Sequence, residues 1–294
     1  MAAGWFATPA MARGDGRASS SQAEVSPDGM RTRHAEHVMG TVVSFDVPAW
    51  ASGPAEHPGH GPEHHESPLA EAIRWLHWVD RTFSTYLPGS EVSRLARGEV
   101  TLADCAPEVA EVMAACAALK ATTKGYFSAC PAGSLDPAGY VKGWAVEHAA
   151  QILSVAGSAS HIVNGGGDIQ CAGGRPGSGT APWRVGISSP LRPGELAFAV
   201  AGRDFAVATS GTAERGAHIM DPVRGRPAAG FASVTVVGPS LSRADAYATA
   251  VFAMGLRLGR EWADGAMDGY EARAILPDGS TWQTAGFHRY AAGT

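Results

Sequence analysis

The sequence predicts an α+β protein, and three observations carry that prediction. Short apolar, β-branched segments cluster between residues 160 and 240, separated by Gly and Pro turns. Longer segments with helical periodicity flank this region on both sides in sequence, instead of alternating with each strand as in a doubly wound βαβ chain. The composition agrees: 37 Gly, 19 Pro, 45% apolar and only 17% charged residues in 294 suit many strands and turns around a sizeable core. The formal net charge of -5 argues against a nucleic-acid partner. No apolar run is long enough to span a bilayer. Cys105, Cys116, Cys130 and Cys171 match no zinc spacing and no disulfide framework, so buried or half-buried thiols in a reducing compartment are expected. Residues 1–33 lack a basic stretch followed by an apolar one. The expectation is a cytoplasmic protein with a disordered tail over 1–36 and one domain over 37–290.

Each element follows from local pattern. Residues 38–47 alternate as a strand that Pro48 stops. Residues 51–68 are rich in Gly, Pro and His. His57, His60, His64 and His65 have no matching cysteine or helical spacing, so a solvated loop is expected. Residues 69–83 place Leu69, Ile73, Leu76 and Val79 on one side of a helix. Pro88-Gly89 is a turn and Ser90 caps a short helix over 91–96. Tyr86, at the head of that turn, reads as a packing aromatic. Residues 107–123 form a helix with Pro in its first turn, closed by Gly125. Asp136-Pro137-Ala138-Gly139 is a turn with exposed backbone, and Lys142-Gly143 opens a helix to about residue 153. A lysine there can neutralise phosphate or simply face solvent. A strand over 160–164 leads to Gly165-Gly166-Gly167-Asp168, where the backbone must approach a ligand or another strand closely. Neither a Walker loop nor a GxGxxG fingerprint is present. Further strands cover 183–187, 196–201 and 205–209.

The chemistry gathers late in the chain. Thr209, Ser210, Gly211, Glu214, His218 and Asp221 make a polar cluster, and this company favours a functional role for His218. A strand over 233–237 ends at Gly238-Pro239. Ser242 then caps a helix with Asp245 in its first turn. Asp245 and Thr249 are four residues apart and share a face, so a carboxylate and a hydroxyl there can hold a hard cation beside a phosphate. Gly255 breaks the apolar face, a short helix covers 256–265, and a hairpin closes the chain about Pro277-Asp278-Gly279.

Several pieces in this order resemble one family: Met39-Gly40-Thr41, FSTYLPGSEVSRL, LDPAGYVKGWAVE, VNGGGDI, ATSGTAERGAHIMDPVRGRP, and SVTVVGP followed by ADAYATAVFAMG. Together, over about residues 37–285, they resemble the FAD:protein FMN transferase (ApbE) family. The resemblance implies a T-fold-like α+β architecture with antiparallel or mixed sheets flanked by helices. It also implies a magnesium-dependent enzyme that moves FMN from FAD to a Thr or Ser hydroxyl of an acceptor protein, releasing AMP. The alternatives are an FAD pyrophosphatase yielding FMN and AMP, and an FAD-binding protein without chemistry. By the same resemblance, Asp245 and Thr249 match side-chain metal ligands and Gly139 a backbone carbonyl ligand. Met39, Tyr86, Phe127, Ser128, Asp136, Lys142 and Met220 match positions around FAD. His218 and Asp245 match the catalytic positions. Two departures stand out: Phe127-Ser128 replaces the family's usual Phe-Asp, and Pro137-Ala138-Gly139 replaces a Gly-Gly pair after the aspartate.

Overall fold

The computed structural model describes residues 22–53, 66–131, 133–175, 181–212, 219–222 and 224–292. Its first three strands, β1 (Gln22–Val25), β2 (Arg31–Val38) and β3 (Thr41–Pro48), form a meander. Four helices follow: α1 (Pro68–Phe83), α2 (Glu91–Ala96), α3 (Pro107–Thr122) and α4 (Ala138–Val155). Next come the strands β4 (His161–Gly165), β5 (Asp168–Ala172), β6 (Trp183–Ser188), β7 (Leu196–Gly202) and β8 (Phe205–Gly211). The chain ends through β9 (Met220–Asp221), β10 (Arg226–Pro227), β11 (Ser233–Gly238), α5 (Leu241–Ala266), β12 (Glu271–Ile275) and β13 (Thr281–Gln283). Nine strands make one sheet in the order β1-β2-β3-β4-β5-β8-β11-β12-β13, and every neighbouring pair is antiparallel. The hairpins β6-β7 and β9-β10 stand apart from it. The α+β expectation holds.

The sheet buries both faces, and strand alternation decides which side chain goes where. On β8, Ala206 and Ala208 join the core that includes α1, α4 and α5, while Phe205 and Val207 join a second core under β6-β7. On β5, Ile169 and Cys171 belong to that second core, which leaves Asp168 and Gln170 on the helix side. The small residues of β8 meet an alanine-rich face of α5, including Ala244, Ala248 and Val251, so helix and sheet approach closely. Helix α1 is built as its pattern requires: Ser67 Oγ accepts from the Ala70 amide at 3.2 Å, and Leu69, Ala72, Leu76, Val79 and Phe83 are buried.

Several expectations change. The tail expected over 1–36 overlaps β1 and β2, which are part of the sheet from Gln22 onward, and residues 1–21 lie outside the described residues. The buried side of β2 carries His34, Glu36 and Val38, with Arg31 at its start, so it has no apolar signature. Its polar groups are satisfied internally: Arg31 Nε lies 2.6 Å from Asp46 Oδ1, and Glu36 binds His34 at 3.1 Å and His77 at 2.9 Å. The single strand expected over 38–47 is divided by a two-residue turn at Met39-Gly40, with φ of 54° and 68°. Helix α4 starts at Ala138, so Lys142 lies one turn inside it and does not open it. Cys130 is exposed, whereas Cys116 and Cys171 are buried and Cys105 partly so. The expected loop over 51–68 is narrowed by a 3-10 turn at Ala49–Ser52 and by α1 at Pro68. His57, His60, His64 and His65 lie outside the described residues.

Candidate active site

The chemistry-bearing residues meet at one end of the sheet. Two hairpin tips mark that end. The Met39-Gly40 turn joins β2 to β3, and Gly166-Gly167 joins β4 to β5 with φ of 63° and 101°. The tips are neighbours: the Gly166 amide donates to Val42 O at 3.2 Å, and a Cβ at Gly166 would lie 2.5 Å from Thr41 Oγ1. The turn itself requires Gly166 and Gly167, and the second turn beside it also requires Gly166, whereas a Cβ at Gly165 would lie 2.5 Å from Val146 Cγ2 of α4. Asp168 follows immediately, at the first position of β5.

From there a charged corner is assembled by three elements. Asp168 Oδ1 accepts the Thr209 amide of β8 at 3.0 Å. Asp168 Oδ2 pairs with Nζ of Lys142, from α4. The same Nζ lies 3.6 Å from Oδ2 of Asp245, on α5. One turn further along α5, Thr249 Oγ1 lies 3.2 Å from Ser210 Oγ, the residue on β8 that shares a face with Ala206 and Ala208. Asp168 and Asp245 are buried, Asp245 being 5% exposed, while Lys142 is partly open. One ammonium thus stands between two buried carboxylates, beside two hydroxyls.

Gly143 explains how α4 delivers Lys142 to Asp245. A Cβ at Gly143 would meet Leu241 O at 2.9 Å, Asp245 Cβ at 3.1 Å and Ser242 Cα at 3.2 Å. The glycine is a helix-crossing contact and not part of a phosphate loop. The start of α5 is fixed from outside the helix. Glu147 Oε2 of α4 accepts the Ser242 amide at 2.9 Å and the Ser240 hydroxyl at 2.8 Å. Gln170 Oε1 of β5 accepts the Leu241 amide at 3.1 Å. Ser242 is not the N-cap expected for it: Ser240 holds that position, without a side-chain capping bond of its own. Tyr140, buried on α4, has its phenol pushed up by burial against a smaller opposing effect of a hydrogen bond with Ser242.

The donor set suits a hard divalent cation. It offers a buried carboxylate and hydroxyl oxygens, and among the described residues neither a thiol nor an imidazole belongs to it. Among the described residues no group of three or more His, Cys, Asp or Glu side chains is arranged to hold a metal. A cation at Asp245 would complete its shell with water and substrate oxygens, which is how magnesium commonly binds.

The other expected positions lie on several different elements. Gly139 lies in the first turn of α4, three residues before Lys142. Asp136 Oδ1 accepts the Ala138 amide at 3.0 Å and so supports that turn. Phe127 is buried in the core behind Gly139, where a Cβ would lie 3.5 Å from its ring, so the expected flavin contact is not open to solvent there. Ser128 Oγ accepts the Cys130 amide at 3.0 Å. Tyr86 is 93% exposed, which overturns its reading as a packing aromatic. Met220 sits on β9, beside α5, and the adjacent Asp221 pairs with Arg224 at 2.6 Å across the β9-β10 turn. His218 lies outside the described residues. Sequence reasoning did not select Asp168, Glu147 or Gln170 as site residues. Only the position of Asp168 directly after the glycine run could have singled it out.

Comparison with known proteins agrees with this fold. The model of the ApbE family matches residues 39–133 and 129–274. An FAD:protein FMN transferase of Rhodobacter capsulatus is 35% identical over 136 residues, 44% of this chain and 25% of that protein. One of Treponema pallidum is 36% identical over 172 residues, 52% of this chain and 46% of that protein. The chain therefore spans less than half the length of these curated relatives. Among solved structures, the flavin transferase ApbE from Vibrio cholerae aligns with a TM-score of 0.70 at 21% identity, covering 93% of this chain and all of that one (100%). The ApbE protein from Thermotoga maritima aligns with a TM-score of 0.73 at 21% identity, covering 90% and 100%. These two likenesses establish the fold. With its match running through both hairpin tips, α4, β8 and α5, the chain belongs to the ApbE family.

Proposed function

We propose that the protein is a magnesium-dependent FAD:protein FMN transferase, which places FMN from FAD on a Thr or Ser hydroxyl of an acceptor protein and releases AMP. The curated relatives carry the transferase name over the aligned segments. The observation that carries the reading is the meeting of Lys142, Asp168, Asp245, Ser210 and Thr249 at one corner.

Asp245 and Thr249, with the carbonyl of Gly139, are the residues that would hold the cation. When bound, magnesium supplies positive charge that offsets the pyrophosphate and the departing phosphate. Lys142 adds a second positive charge beside Asp245 and draws the dinucleotide's phosphates to the corner. The acceptor hydroxyl oxygen forms a bond to the FMN phosphorus, the bond from that phosphorus to the AMP phosphate oxygen breaks, and AMP leaves. The hydroxyl proton passes to His218 or Asp245. An imidazole ordinarily titrates near neutrality, so His218 suits the base and Asp245 the metal. Met39 and Tyr86 offer side chains at a hairpin tip and an exposed loop for the flavin or adenine. Met220, Ser128 and Asp136 complete the FAD-facing set, and Phe127 supports Gly139 from behind.

The test is incubation with FAD, Mg2+ and a candidate acceptor, followed by mass spectrometry. AMP together with an FMN-modified Thr or Ser is the expected result. AMP with free FMN and an unmodified acceptor means that water is the acceptor and the protein is a pyrophosphatase. Retained FAD with no AMP overturns the enzymatic reading.

A further inference from the structure

Among the described residues, Asp168 and Asp245 both lie within ion-pair range of Lys142, and the geometry treats them unequally. It is hydrogen-bonded to Asp168, but its distance of 3.6 Å from Asp245 Oδ2 is longer than a hydrogen bond. Asp168 is itself pinned: it is buried, and its second oxygen is tied to the Thr209 amide at 3.0 Å. Lys142, in contrast, is a flexible side chain that is partly open to solvent. Buried beside an ammonium, a carboxylate such as Asp245 takes the nearest cation available, and an ammonium in close contact competes with a divalent ion for it.

We propose that Asp168 is a positioning residue, which holds the Lys142 ammonium off Asp245 and keeps that carboxylate available to a divalent cation. This rests on the metal reading given above. Asp168 is not a ligand in it and acts only through Lys142. Removing its charge leaves Asp245 as the nearer anion, and Lys142 then neutralises the metal ligand in place of the metal. A cation held by Asp245 would have the Lys142 ammonium for a neighbour, and both could then draw the same pyrophosphate.

The experiment measures binding of Mn2+ alone, by electron paramagnetic resonance without FAD, so that it does not depend on turnover. Five proteins are compared: wild type, Asp168→Asn, Lys142→Met, the double variant of these two, and Asp245→Asn as the reference without the metal-binding carboxylate. Asp168→Asn keeps an oxygen for the Thr209 amide and is expected to weaken Mn2+ binding about tenfold or more. Adding Lys142→Met to it is expected to restore binding to the wild-type level or better, because the competitor is gone. Lys142→Met alone is expected not to weaken binding. The double variant carries neither charge of the pair and remains informative if Asp168→Asn alone does not fold. Unchanged affinity in Asp168→Asn, or a loss that Lys142→Met does not rescue, overturns the proposal while the metal reading stands. Wild-type protein that binds no Mn2+, behaving like Asp245→Asn, overturns both.

Discussion

Gly143 shows how much one missing side chain decides at the residue scale. Adding a methyl group there drives it against Leu241 O and Asp245 Cβ, so helix α4 must move away from α5. Gly143→Ala is expected to destabilise the fold by about 1–3 kcal/mol, because the clash is with backbone, which cannot swing aside. Differential scanning calorimetry would show a fall of roughly 2–4 °C per kcal/mol for a chain of this size. The same substitution should weaken FAD turnover by shifting Asp245 relative to Lys142. Asp245→Asn should lower magnesium-dependent AMP release by at least about a hundredfold, given that even outer partners of metal ligands cost about 10–100-fold. A melting temperature unchanged by Gly143→Ala would contradict the close crossing. AMP release that survives Asp245→Asn would remove Asp245 from the metal. The Asp245 and Thr249 pair was readable in the sequence, since helical period alone puts positions four apart on one face. The Lys142 and Asp168 pair was not. Its members are 26 residues apart, and only the packing of α4 over β5 brings them together.

At the scale of elements, α5 begins where its neighbours hold it. Glu147 and Gln170 take up the amides that its own first turn leaves without intrahelical partners. Glu147→Ala and Gln170→Ala are each expected to cost about 1 kcal/mol, near the usual cost of losing a cap. Hydrogen exchange at Leu241 and Ser242 should accelerate in the corresponding variant, and unaltered protection at both amides would show that these bonds carry no weight. Such capping from another element is invisible in sequence, which is why Ser242 looked like the cap. The three earlier helices were legible, whereas α4 starts four residues before the expected Lys142. Ser90, Pro107 and the apolar spacing after Ser67 locate α1, α2 and α3 to within a residue or two. Strands with one polar buried face were not legible. β2 encloses His34 and Glu36 where alternation would call for Val or Ile, and β5 has only five residues, two of them polar and turned to the helices.

For the whole molecule, buried ionisable groups set the response to acid. His161 is completely buried, with Nδ1 2.9 Å from Ser158 Oγ, and burial pushes its imidazole down from 6.5 to about 4. Its folded value lies below its unfolded one, so its contribution to stability is complete above pH 6.5 and is lost as pH falls towards about 4. Burial pushes the Glu36 carboxyl up, but hydrogen bonds from His34 and His77 outweigh this and hold it below 4.5. The sign is the same, and the loss comes at lower pH. The melting temperature should therefore fall on acidification from pH 6.5, and His161→Gln should flatten that fall between pH 6.5 and 4 even if it melts earlier at pH 7. An equally steep fall in the variant would exclude His161 as its source. Strand β2 matters to the whole molecule as well. A chain beginning at His37 lacks Arg31, His34 and Glu36, leaves the buried Asp46 without its Arg31 partner and should fail to fold, whereas one beginning at Gln22 should fold, as circular dichroism would show. The two-residue turn at Gly166-Gly167 has an evolutionary consequence. Because side chains on β5 alternate, one inserted residue that shifted its pairing would rotate Asp168 and Gln170 to the β6-β7 side while the backbone ladder survived. Selection can thus vary the letters around that turn more readily than its length, since a changed length would turn the Asp168 carboxylate into the apolar core under β6-β7.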